Sequence, residues 1–393
     1  MNKYLYILGL VGTAFLSACS SDDLTTVLSP EEERALVVEA GMDSDIPITL
    51  GSLGNGRALT RSPLESTDFQ ISGGNLSVYC LATGIQAGSP KISAIPASAD
   101  DIVWNDPNKI ANWLVNKPAI VSYYNGTGAS PIPGVSGPYN YIQFWKDGDV
   151  KERFYPFGNW YSYDFFAYYP RVGDANTSYS DTGKSCFANI TIDGSKDVIW
   201  GHASGSDEGF SAKYMRLNPT TVPEFVFNHL LTQLVFYVRP HDASVTQLQT
   251  DGIKITELKM KEVYKKLKLI VASKEPGLTS GEISELSAYG DVSVWNGDTE
   301  FSGGAIPVVS ASYDPDDEST HKTYIGCAMV PPSALIANKE YNKFVVKLKV
   351  EDGSSNLYYN PADENVDEDG YRIIELTGTF LAGHKYEIIL DIY

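Results

Sequence analysis

Phe225-Val226-Phe227-Asn228-His229-Leu230-Leu231-Thr232-Gln233-Leu234-Val235-Phe236-Tyr237-Val238 is dense in the β-branched and aromatic residues that suit a pleated, half-buried surface, and it reads as strand. Ahead of it, the X-Pro pairs from Asn218-Pro219 to Val222-Pro223 stop regular structure and mark a domain boundary. Downstream the same signal recurs at Ile253 to Leu258, Leu267 to Val271, Val292 to Trp295, Tyr324 to Val330, Phe344 to Val350, Tyr371 to Leu376 and Lys385 to Tyr393. Upstream it recurs at Leu76 to Leu81, Tyr141 to Trp145, Tyr163 to Pro170, Asn189 to Ile192 and Asp197 to Trp200. Short strands broken by Gly, Pro, Asn and Asp turns indicate β-sandwiches, one series on each side of the boundary.

The 393 residues suffice for about two domains. With 43% hydrophobic and 12% aromatic residues, the chain has the material to offset backbone entropy, which excludes disorder over its whole length. The balance of 30 Lys+Arg against 49 Asp+Glu gives a net charge of −19, which repels phosphate backbones and excludes a nucleic-acid partner. Thirty-four Gly and 21 Pro against five His favour turns over long helices and leave little for imidazole chemistry. The composition is that of an all-β extracytoplasmic protein.

The N-terminus is a lipoprotein signal over residues 1–18. Met1-Asn2-Lys3 is a short cationic region, Tyr4 to Phe15 an apolar one too short to span a bilayer, and Leu16-Ser17-Ala18-Cys19 a cleavage site ending in cysteine. Cys19 is the expected lipidation site, its thiol taking a diacylglycerol and its freed amine a further acyl chain. Residues 20 to about 45 form a polar, acidic tether. In the stretch that follows, Ile46, Ile48 and Leu50 alternate as a half-buried strand requires, and Pro47, lacking an N–H, places that strand at a sheet edge. It runs into the Gly-rich loop from Gly51 to Arg61, whose Arg57 and Arg61 make it an exposed, cleavable linker.

Other motifs carry less. Cys80, Cys186 and Cys327 are odd in number and have no metal-ligand spacing, so buried structural thiols are expected, with one pair plus a free thiol as the alternative. Asp181 to Ser185 resembles the tail of a phosphate-binding loop, but Ser178 stands where its first glycine belongs. Gly201-His202-Ala203-Ser204 reads as a polar turn rather than a nucleophile and base. Asn365 to Gly370, around Asp367, has calcium-loop spacing with Asn at position one and Glu375 one residue early, and it reads as a solvated acidic loop. His229, where a strand enters the core, is expected to be a hydrogen-bonded structural imidazole. No nucleophile, metal or dinucleotide motif is present, and the chain reads as a non-enzyme without a cofactor.

In their order along the chain these features resemble the fimbrillin family, the lipoprotein pilins of the type V system. The resemblance rests on the lipobox at Leu16 to Cys19, Ile46, Ile48 and Leu50 ahead of Arg57-Ala58, and the aromatic run Ser162 to Pro170. It continues through Asp197 to Trp200, Phe227 to Leu231, Glu262 to Lys266 and Gly383 to Leu390. The acidic Ser20-Ser21-Asp22-Asp23 resembles the surface-export signal of lipoproteins in the phylum that makes fimbrillins.

The resemblance implies two tandem transthyretin-like β-sandwiches, over residues 58–218 and 219–393, behind a lipidated leader over 19–57. It implies an outer-membrane location, then cleavage by an arginine-specific surface protease after Arg57, ahead of Ala58, or after Arg61, ahead of Ser62. Cleavage removes the strand of Ile46, Ile48 and Leu50, and a strand from another fimbrial subunit fills the groove. At roughly 1.5–3 kcal/mol each, those three side chains contribute about 5–9 kcal/mol, comparable with a domain's whole stability. Stalk members carry an extra C-terminal donor segment, whereas here Tyr386, Ile388, Leu390 and Ile392 alternate as a final domain strand. A tip subunit with a host or glycan ligand is therefore expected. The rivals are an anchor subunit that keeps its lipid and a surface glycan-binding lipoprotein.

Overall fold

The computed structural model describes residues 43–47, 50–52, 70–86, 95–105, 110–132, 134–156, 160–204, 209–333 and 344–393. Cys19, Ile48, Arg57, Ala58, Arg61 and Ser62 lie outside them. The chain is nearly all β, as its turn-rich, aromatic composition requires. Its first strands are β1 (Asp43–Pro47), β2 (Leu50–Ser52), β3 (Ile71–Ile85), β4 (Leu114–Tyr124), β5 (Tyr139–Lys146) and β6 (Asp149–Val150). There follow β7 (Phe154–Pro156), β8 (Tyr161–Tyr169), β9 (Thr177–Tyr179), β10 (Ser185–Thr191) and β11 (Ile199–Ala203). Helix α1 (Ala212–Leu217), capped by the Ser211 side chain, precedes β12 (Glu224–His229) and β13 (Thr232–Pro240). Helix α2 (Val245–Thr250) leads into β14 (Lys254–Ser273), β15 (Ile283–Ser293), β16 (Trp295–Asn296), β17 (Thr299–Glu300) and β18 (Ser302–Pro307). The last are β19 (Thr323–Val330), β20 (Phe344–Glu351), β21 (Arg372–Leu376) and β22 (Lys385–Ile392).

The stretch Phe225 to Val238 is two strands, β12 and β13, broken at Leu230-Leu231 and belonging to different sheets. β12 lies in a sheet ordered β2-β12-β11-β8-β3-β4-β5-β6, and β13 in one ordered β17-β16-β19-β13-β22. A third sheet, β21-β20-β14-β10-β9 with β15 and β18 also paired to β14, backs both.

Two apolar cores result. The first gathers Val78, Cys80, Trp104, Phe165, Tyr168 and Phe225 under the β2-to-β6 sheet, and the second gathers Leu234, Phe236, Ile255, Leu258, Val350 and Leu390. They do not divide at residue 219, because Leu231, Leu267, Leu269, Val271 and Met329 belong to the first core. The cause is β14, expected as two strands and found as one of 20 residues. Ile255, Leu258, Met260 and Val263 face the second core, and Leu267, Leu269 and Val271 the first. Between them Glu262 takes a left-handed φ of 54°, where the register with β15 shifts, a bulge that re-aims the side chains. The charged residues Lys259, Lys261, Glu262, Lys265 and Lys266, none of them buried, interrupt the apolar pattern and hide the continuity in sequence.

His202 corrects the polar-turn expectation. It lies within β11, its ring stacked on Phe166 at 4.5 Å and its Nε2 at 3.3 Å from Asp164 Oδ2. Neighbouring Gly201 is required by packing, since a Cβ there would sit 2.6 Å from the Phe227 ring.

Candidate functional site

The segment ahead of the arginine loop is the part of the first sandwich whose geometry points to function. It forms two short strands, not one. Among the described residues β1 pairs only with β7, with Asp43 opposite Pro156 and Pro47 opposite Phe154, so Pro47 sits where a missing N–H costs least. β2 has a neighbour on each side. Leu50, Gly51 and Ser52 lie opposite Ile142, Tyr141 and Asn140 of antiparallel β5, and Gly51 and Ser52 lie opposite Glu224 and Phe225 of parallel β12. The edge placement expected for the whole stretch therefore describes β1 and fails for β2, whose residues include no proline.

With both pairings made, the sheet closes on itself through β2-β12-β11-β8-β3-β4-β5 and back to β2. A closed sheet has no edge to template further pairing, and β2, three residues long, is the element that closes this one. Its flanking strands present large buried side chains: Phe225 is fully buried and stacks on Phe227 at 5.5 Å, while Ile142 and Phe144 are 5% and 4% exposed. Ile46 falls within β1 and Leu50 opens β2. The pairing of β2 with β12 joins residues more than 170 positions apart and had no signal in the sequence; periodicity identifies a strand but not its partners.

The remaining sequence-derived sites resolve into structural roles. Cys80 and Cys186 are buried free thiols, each pushed up by burial, whereas Cys327 in β19 is free and partly exposed, which departs from the expectation of three buried thiols. A raised, buried thiol is a poor nucleophile. His229 Nδ1 is hydrogen-bonded to Asp197 Oδ2, and Asp197 Oδ1 accepts the Val198 N–H at 2.8 Å, so the imidazole is structural. Asp367 Oδ1 accepts the backbone N–H groups of Asp369 and Tyr371, and its Oδ2 lies 3.1 Å from Lys347 Nζ. Burial alone would raise that carboxyl; the Tyr371 N–H and the Lys347 ammonium outweigh it and hold it below the usual range. Glu275 accepts hydrogen bonds from Thr182 Oγ1 and Ser185 Oγ, which ties the Asp181 to Ser185 turn to the bend that follows β14. Among the described residues no group of three or more His, Cys, Asp or Glu is placed to hold a metal ion, and no helix is long and apolar enough to cross a membrane.

No protein-family model matches the sequence, and no curated protein does. Solved structures of similar shape include a candidate cell adhesion protein from Bacteroides uniformis, 13% identical, covering 89% of this chain and 94% of that one with a TM-score of 0.42. A candidate cell adhesion protein from Bacteroides ovatus is 11% identical over 89% of this chain and 92% of its own, at a TM-score of 0.40. A fimbrial protein from Bacteroides ovatus is 10% identical, covering 90% of this chain and 50% of that one, at 0.26. At such loose superposition the functional argument rests on this chain's own strands.

Proposed function

We propose that the chain is a structural subunit of a cell-surface fimbrium, in which β2 is a removable placeholder and its vacated slot receives a strand from another subunit. The observation that supports this most directly is the double pairing of β2: the residues just ahead of Arg57 and Arg61 are the ones that close the ring. Cutting the loop and withdrawing the leader opens the ring between β5 and β12. It bares backbone groups on two facing strands and the apolar surface between them, and an incoming strand of matching alternation restores both. Assembly and stability then become one event. The leader carries Cys19 and its lipid, so anchoring at the outer membrane precedes cleavage and ends with it.

Within the fimbrium we assign the chain a terminal position with an adhesive role. β22 pairs along its length with β13, and Leu390 and Ile392 are buried in the chain's own core. Every described strand is likewise paired within the chain. The reading assigns the chain no catalysis. N-terminal sequencing of the protein from shed fibres tests it: a start at Ala58 or Ser62 supports a tip, and an intact acylated Cys19 sinks it in favour of an anchor.

A further inference from the structure

We propose that a cavity at the seam of the two sandwiches, walled by Trp295 and Tyr169, is a binding site for a neutral saccharide. The proposal deepens the adhesive part of the reading above by naming a ligand class, and it does not depend on strand exchange.

The cavity has a volume of about 420 Å³, inside the ~300–1,000 Å³ range of small-molecule sites, and it lies where two packed units meet, a common place for them. Tyr169 ends β8, and the loop joining β10 to β11 supplies Asp193, Lys196 and Asp197; the other wall, Trp295 to Asp298, belongs to the second sandwich. The walls are fixed to each other. Trp295 Nε1 donates to the Asp193 carbonyl at 3.1 Å, and the Met329 N–H donates to the Gly194 carbonyl at 2.9 Å. Gly194 has a φ of +90°, and a Cβ on it would collide with the Ser293 carbonyl, so the loop approaches as closely as glycine allows. A site held this way before the ligand arrives loses little ordering entropy on binding.

The chemistry of the lining selects among ligands. Three aspartates against one lysine repel an anion, which disfavours acidic sugars and phosphates. Lys196 and Asp298 are exposed, share the cavity, and pair neither with each other nor with any other described residue. A ligand entering there meets a donor and an acceptor together. A plain ammonium would suit the aspartates and an aromatic face but would meet Lys196. A polyol satisfies both groups. The indole N–H of Trp295 is already spent on Asp193, which leaves its apolar surface for the C–H face of a sugar ring. Burial and the nearby Asp197 and Asp193 carboxylates raise Tyr169, so its hydroxyl stays protonated as a further donor.

The test is saturation-transfer NMR and tryptophan-fluorescence titration of the full chain. The neutral probes are glucose, galactose, mannose, N-acetylglucosamine and their common disaccharides; N-acetylneuraminic acid, glucosamine and a lysine-containing peptide are the charged comparisons. Saturable binding of a neutral probe is expected, weakened at least about tenfold in Trp295→Ala and about fivefold in Asp298→Asn and in Lys196→Met. The last two sit on exposed residues and keep the test sound if Trp295→Ala fails to fold. The proposal is overturned if no neutral probe binds, if only a charged probe binds, or if binding is unchanged in Asp298→Asn and Lys196→Met. In any of these cases strand uptake at the β2 slot remains open to its own assay.

Discussion

Removing the leader is the perturbation that bears most directly on the function. β2 stands between Ile142 of β5 and Phe225 of β12, which are 5% and 0% exposed with the ring closed. Withdrawing β2 brings those two side chains toward water. At roughly 1.5–3 kcal/mol each the loss is about 3–6 kcal/mol, a large share of the ~5–15 kcal/mol that stabilises a typical domain. At about 2.1 cal/mol/K of unfolding entropy per residue, a cut chain of roughly 330 residues melting as one unit shifts by about 1.4 °C per kcal/mol, so the melting temperature should fall by roughly 4–9 °C. The assay is thermal unfolding before and after digestion with an arginine-specific protease, with the leader peptide separated from the cut chain. Light scattering follows assembly in parallel. Adding a synthetic peptide spanning Asp45 to Ser52 should recover most of the lost temperature and suppress assembly, because it refills the slot. A cut chain freed of its leader that stays monomeric and melts where the precursor melts would refute the reasoning outright.

Other outcomes follow from particular residues. Arg57→Ala combined with Arg61→Ala should abolish maturation, seen as retention of the full precursor mass on the cell surface; continued processing at the normal position would count against the assignment. Cys327 should react with a thiol reagent in the folded chain, while Cys80 and Cys186 react only after unfolding, as mass spectrometry of alkylated peptides would reveal. Asp367 titrates below the usual carboxylate range when folded, so its contribution to stability is complete above its unfolded value of about 3.9 and is lost as pH falls through the lower folded value. Lys347→Met should therefore move the acid-unfolding midpoint upward, and an unchanged midpoint would show that the ion pair matters little.

Much of the fold was legible because strand signals are local. The run Tyr163 to Pro170 carries five aromatic residues, dense enough to be read as strand without a partner, and β8 covers Tyr161–Tyr169. β4 carries no such signal, because Lys117, Pro118 and Ser122 dilute its apolar residues, although Leu114, Ala119 and Val121 are buried. His229 is structural, as its place at the entry of a strand into the core suggests, yet its partner Asp197 lies 32 residues away and is fixed by the pairing of β11 with β12. The same limit governs the functional site: alternation of Ile46, Ile48 and Leu50 signals a strand, whereas the two strands that flank β2 are set by long-range register. The Trp295 cavity had no local signal, because its walls come from different sandwiches.

The strand that joins the two cores leads to one more expectation. A cut in a linker would let the sandwiches melt separately, but β14 is a single strand hydrogen-bonded to β20 over Lys254–Lys261 and to β10 over Lys266–Ser273. Loss of order at one end removes ladder partners and buried side chains from the other, so the two cores should unfold as one cooperative unit. Leu258, fully buried in the second core, is the place to test this. Leu258→Ala leaves a cavity and should cost about 2–5 kcal/mol. Trp104 and Trp200 report on the first core, where Trp104 Nε1 donates to the Ala82 carbonyl and Trp200 Nε1 to the Val271 carbonyl of β14 itself. Read in a Trp295→Phe background, because Trp295 lies in the second sandwich, tryptophan fluorescence and far-UV circular dichroism of Leu258→Ala should fall together in one transition at a lowered temperature if β14 couples the cores. A fluorescence midpoint that stays at the wild-type value while the circular dichroism splits into two steps would show that the bulge at Glu262 uncouples them.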